Sequence, residues 1–122
     1  MTYVSSTPEL EYQIVTILSS HVGRDKAIGR DELVAKVKSR GDATSERQVR
    51  EAIKQLRRQG HLICSAPGED GGYYLAADRE EYEEFKRAEF LAKIHDMQET
   101  LRAMDLAAER AFGKAIQLNL WR

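Results

Sequence analysis

The sequence predicts a mainly α-helical fold with one small β-hairpin, extended by a long C-terminal helix. Three observations predict it. Three helical apolar patterns precede Gly60, two β-prone runs flank a turn-rich hexapeptide, and a heptad repeat runs from Phe90 to Ala111.

Thr7-Pro8-Glu9 opens the first helix, with a hydroxyl at the cap, proline at the first helical position and a carboxylate near the positive helix end. Leu10, Ile14, Ile17 and Leu18 recur at helical spacing, and the helix is expected to end near His21-Val22-Gly23. Ile28, isolated after a polar loop, suits one short strand. Gly29 caps a second helix through about Arg40, with Leu33, Val34 and Val37 inward, and Gly41-Asp42 breaks it. Ser45-x-x-Gln48 is a capping box, in which hydroxyl and amide satisfy each other's orphan backbone donors. Val49, Ala52, Ile53 and Leu56 then form one stripe, and Gly60 ends this third helix. Leu62-Ile63-Cys64-Ser65 and Gly72-Tyr73-Tyr74-Leu75-Ala76 read as strands around the turn formers Ala66 to Gly71. Tyr73 and Tyr74 alternate faces, one toward the core and the other available to the long helix or to a nucleic-acid backbone. Asp78-x-x-Glu81 opens a pattern that stays helical to about Phe112. The expected organisation is a domain over 1–77, a long helix over 78–112 and a tail over 113–122.

Composition narrows the class. The chain has 122 residues, 42% hydrophobic and 32% charged, which suits one small domain with an appended helix and excludes wholesale disorder. No apolar run approaches the ~20 residues of a membrane span, and no signal-peptide pattern opens the sequence. The single cysteine, Cys64, excludes an intramolecular disulfide and a multi-cysteine zinc site, so a cytoplasmic location is expected. The net charge of −1 hides an asymmetry. Residues 21–65 carry eleven basic against six acidic side chains, net +5, and the remainder is −6. A basic segment joined to an acidic one points to two surfaces with different partners.

The order helix, short strand, helix, turn, helix, hairpin is that of a winged helix-turn-helix. The stretches IGRDELVAKV, TSERQVREAIKQLRRQGHLICS and GGYYLA, within residues 28–76, resemble the compact winged-helix domains of bacterial and phage DNA-binding proteins. The resemblance covers about two-fifths of the chain and implies that the third helix enters the major groove of double-stranded DNA. Arg47, Gln48 and Arg50 are then candidates for base edges, since arginine grips guanine and glutamine adenine in a bidentate manner. Lys54, Arg57 and Arg58 follow as phosphate contacts, and Thr44, Ser45 and Arg30 add phosphate contacts at helix N-termini. The competing reading is a solvated helix face held by Arg47–Glu51 and Glu51–Lys54 pairs. The tip of the hairpin departs from the family pattern: it holds Glu69 and Asp70 and no basic residue. That departure removes the expectation of a wing contact. Many roles are served by this fold, in transcription regulation or in DNA replication.

Phe90, Ile94, Met97, Leu101, Met104, Ala108 and Ala111 alternate spacings of four and three, the seam of a coiled coil. A helix over 79–112 would span ~51 Å at 1.5 Å per residue, longer than a domain of this size covers. A homodimer is the economical expectation, and a helix folded back on its own domain is the alternative. The tail Gln117-Leu118-Asn119-Leu120-Trp121 resembles the bacterial sliding-clamp-binding peptide, Gln-Leu-x-Leu-aromatic. That resemblance implies a hydrogen-bonding pocket for Gln117 and an apolar one for Leu120 and Trp121, with Leu118 assisting. Amphipathic continuation of the helix through Phe112, Ile116 and Leu120 explains the same residues. No catalytic pattern is present: His21, His61 and His95 are scattered, Cys64 lies among apolar neighbours, and Gly68, Gly71 and Gly72 belong to a turn. Neither enzyme activity nor a cofactor is expected. The two function classes that remain are a DNA-binding protein and a non-catalytic adaptor acting through the long helix and the tail.

Overall fold

The computed structural model describes residues 7–68 and 71–114. The tail motif Gln117, Leu118, Leu120 and Trp121 lies outside the described residues, as do Glu69 and Asp70 at the hairpin tip.

Helix α1 (Pro8–Leu18) starts where the cap predicts: Thr7 Oγ1 accepts from the Leu10 N–H at 3.1 Å. It buries Leu10, Ile14, Ile17 and Leu18. It ends earlier than expected, because residues 21–23 pair with a strand instead. The Leu75 N–H donates to His21 O at 2.9 Å and the Gly23 N–H to Leu75 O at 2.8 Å. A short 3-10 turn over Arg24–Lys26 follows, then strand β1 (Ile28–Gly29) and helix α2 (Arg30–Ser39), which buries Leu33 and Val37. Helix α3 (Glu46–Arg58) carries the full capping box and buries Val49, Ala52, Ile53 and Leu56. Gly60, at φ 102°, closes it in the left-handed region that a side chain resists.

Strands β2 (Ile63–Ser65) and β3 (Gly72–Leu75) form the expected hairpin, and β1 pairs antiparallel with the other edge of β3, giving the order β1-β3-β2. Gly72 stands opposite Gly29 across that pairing. A methyl group on Gly72 would collide with the carbonyl of Ile28, so the close approach of the two strands requires glycine there.

Two apolar clusters hold these elements. The larger joins α1, α2 and α3 to Ile28, Ile63 and Tyr73. The smaller consists of Cys64, Tyr74 and Phe85. The two adjacent tyrosines thus serve different clusters, as strand alternation requires.

Phe85 ends helix α4 (Arg79–Phe85), which is anchored at its start. Asp78 Oδ1 accepts from the Glu81 N–H at 2.9 Å, while the Glu81 carboxylate accepts from the N–H groups of Ala77 at 2.9 Å and Arg24 at 3.0 Å. The long helix is not uniform. A π-helical segment over Lys86–Leu91 separates α4 from α5 (Ala92–Phe112). The chain divides into two compact units at this segment, Met1–Phe85 and Lys86–Arg122. The boundary therefore falls inside the helix rather than before it at residue 77. Burial of Phe85 against Cys64 and Tyr74 makes the first turns of that helix part of the domain. Among the described residues, no helix is long and apolar enough to cross a membrane.

Candidate nucleic-acid interface

Helix α3 sorts its side chains sharply. Its buried stripe faces α1 and α2, and Arg47, Arg50, Lys54 and Arg58 are all exposed. At ~100° per residue these four fall within an arc of about 80° centred opposite the buried stripe. None of the four forms a hydrogen bond or ion pair among the described residues. Their charge is fully presented to solvent, on a helix whose N-terminal amides are fixed by Ser45 and Gln48.

Three of the sequence-predicted contacts are placed differently. Arg57 is half-buried; its Nε–H donates to Ile63 O at 2.8 Å and its guanidinium lies 5.1 Å from the centroid of the Phe85 ring. It ties the third helix to β2 and α4. Its angle on the helix differs from that of exposed Arg50 by only about 20°; its place near the C-terminal end of α3, where the chain turns back into β2, brings Ile63 O within reach. Arg30 is also half-buried, with Nη1 at 3.5 Å from both Gly68 O and Gly71 O and its guanidinium 5.8 Å from the centroid of Tyr73. It faces the hairpin loop. Gln48 is exposed, but its Oε1 accepts from the Ser45 N–H at 3.0 Å. Bidentate recognition of adenine needs both amide groups, and the capping box already holds one of them.

The Ser45 hydroxyl accepts from the Gln48 N–H at 3.2 Å, and the Thr44 hydroxyl is directed at Ser45 O at 3.4 Å. Both lie at the N-terminus of α3, where the Ser45 N–H is held by Gln48 Oε1. The sequence reading passed over Lys36, Lys38 and Arg40, which are exposed at the C-terminal end of α2 just before the turn into α3. Their signal was the same excess of basic residues over 21–65, unassigned because no helix-turn-helix convention singles them out.

Every predicted seam residue, Phe90 in the π segment and the rest on α5, is exposed in the single chain, including Met97 at 69% and Met104 at 65%. Among the described residues no group of three or more His, Cys, Asp and Glu side chains is placed to hold a metal ion.

In comparisons with known proteins, no family model, no curated protein and no solved structure matches the chain.

Proposed function

We propose that residues 7–85 form a winged helix-turn-helix domain that binds double-stranded DNA, with α3 in the major groove. The observation that carries this reading is the exposed basic arc of Arg47, Arg50, Lys54 and Arg58, set opposite the buried face of a capped helix. Arg47 and Arg50, in the first turns of α3, take the role of reading base edges, and Lys54 and Arg58 that of holding phosphates. Arg57 and Arg30 act on the protein itself, the first fixing α3 to β2, the second bracing the hairpin loop. The long helix is the dimerisation element, so that a dimer reads two half-sites.

Fluorescence anisotropy with duplex DNA at several salt concentrations tests the reading. Binding is expected to weaken with salt as phosphate-bound counterions are released, and the Lys54→Ala change to reduce the salt slope by about one. Arg47→Ala is expected to relax sequence preference in a binding-site selection. Absence of binding at low salt would refute the proposal.

The exposed seam of α5 favours a second reading, a non-catalytic adaptor in which the helix and the tail recruit partners, with a bacterial sliding clamp as the candidate for the tail. Deletion of residues 117–122 is then expected to abolish clamp pull-down, and unchanged pull-down would exclude the clamp.

A further inference from the structure

The exposed seam is graded in size along α5. Phe90, Ile94, Met97, Leu101 and Met104 are large, and Ala108 and Ala111 are small. Helix axes in contact lie ~8–10 Å apart, the distance being set by the side chains between them. In a parallel pair each layer stacks a residue on its own copy. Alanine layers at one end then draw the axes together while methionine and isoleucine layers at the other force them apart. Either the alanine end leaves voids or the large end overpacks, and both are destabilising.

Running the helices in opposite directions removes the conflict. With Leu101 opposite the second copy's Met104, Met97 falls opposite Ala108 and Ile94 opposite Ala111, because the numbers of facing residues keep a constant sum. Each of the four outer layers then joins one large and one small side chain around two central Leu101–Met104 layers, so no layer stacks alanine on alanine. The same register lays Phe112, 87% exposed at the end of α5, beside the second copy's helix. Gln98 meets Asp105 as an amide–carboxylate pair at the rim. Lys93 is held on its own helix by Glu89, whose carboxylate lies 3.4 Å from Lys93 Nζ.

We infer that the occupant of the α5 seam is a second copy of this chain bound antiparallel, in the register that places Met97 against Ala108. The inference rests on the proposed role of the long helix in dimerisation and adds its direction. The consequence is a wide separation of the two points at which the helices leave their domains. In this register the two Lys86 residues, where each domain joins its helix, lie ~50 Å apart along the coil at 1.5 Å per residue. A parallel coil would hold them about one interhelical distance apart, ~10 Å.

Two measurements test it on the full chain. Sedimentation is expected to show a dimer that Leu101→Asp converts to monomer without altering the thermal transition of the domain; a wild-type chain that stays monomeric at ~100 µM overturns both the dimer and its direction. For direction, a Met97→Cys chain is mixed with an Ala108→Cys chain and oxidised under native conditions, where buried Cys64 is shielded. Mixed disulfide dimers are expected at least tenfold above self-linked Met97→Cys dimers. Efficient self-linking of Met97→Cys, with few mixed products, overturns the antiparallel direction while leaving dimerisation standing. DNA anisotropy on the Leu101→Asp monomer reads the proposed DNA binding separately, since the basic arc of α3 is untouched.

Discussion

Arg47 and Arg57 are on the same helix and differ in every respect that matters physically. Arg47 is exposed, whereas Arg57 donates to Ile63 O and lies over Phe85. Arg57→Ala removes a hydrogen bond and a ring contact, and is expected to lower stability by about 1–3 kcal/mol. Arg47→Ala is expected to change stability by less than ~0.5 kcal/mol while weakening DNA binding. Urea midpoints and anisotropy on the two variants separate the roles. A neighbouring residue gives a pH-dependent counterpart. Burial pushes the Cys64 thiol up from 9.0 to about 11, against the opposing pull of the Arg57 guanidinium. Between about pH 9 and 11 the unfolded chain loses this proton and the folded chain keeps it. Stability therefore falls as pH rises through that window and is unaffected by this group below it. Tyr74, also raised by burial, adds to the same trend. Cys64→Ala is expected to flatten the fall, which urea midpoints from pH 8 to 10.5 would register.

The best-specified element is α3. Its capping box was legible because Ser45 and Gln48 are local partners three residues apart, and the structure contains both hydrogen bonds. Ser45→Ala is expected to cost about 1 kcal/mol, measured by urea denaturation, with no loss of the helix itself. The same local logic placed the starts of α1 and α2 and the hairpin to within a residue or two. It failed at the end of α1, where the apolar Val22 continued a helical pattern. The backbone there is used by β3, more than fifty residues away, and no local pattern encodes that competition. The π segment over Lys86–Leu91 was likewise invisible. An i→i+5 turn changes the phase of a helix without requiring any particular residue. It begins just after Phe85, held in the domain cluster, and contains Phe90, the first seam residue, five positions further on.

At the scale of the whole molecule, the division at Phe85 has a direct consequence. A chain ending after Phe85 is expected to unfold cooperatively with stability close to that of the domain in the intact protein. A chain ending after Ala77 leaves Cys64 and Tyr74 without Phe85, and is expected to lose about 3–5 kcal/mol, the range for emptying a buried aromatic site. Thermal and urea denaturation of the two fragments, side by side, measure the difference. Charge is divided between the same units. The basic surplus over 21–65 belongs to the first, and α5 with its seam belongs to the second. On the proposed reading, one unit meets the polyanion and the other meets a second copy. The balanced total charge then limits non-specific affinity without forbidding specific contact.

The sequence by itself determined what local chemistry can encode: the order of the elements, their caps, the buried stripe of α3 and the seam of α5. Helical period and capping geometry act within a few residues, so they survive in the bare string of letters. Only the tertiary structure decided which charges stay on the surface. Arg30 and Arg57 looked equivalent to Arg47, Arg50 and Lys54, because charge and spacing do not reveal which partner lies within reach. Those partners, the loop carbonyls at Gly68 and Gly71 and the Phe85 ring, are brought near by the β1-β3-β2 sheet and by the docking of α4. A chain segment distant in sequence supplied the deciding contact in each arginine, and long-range contacts are what a linear pattern leaves open.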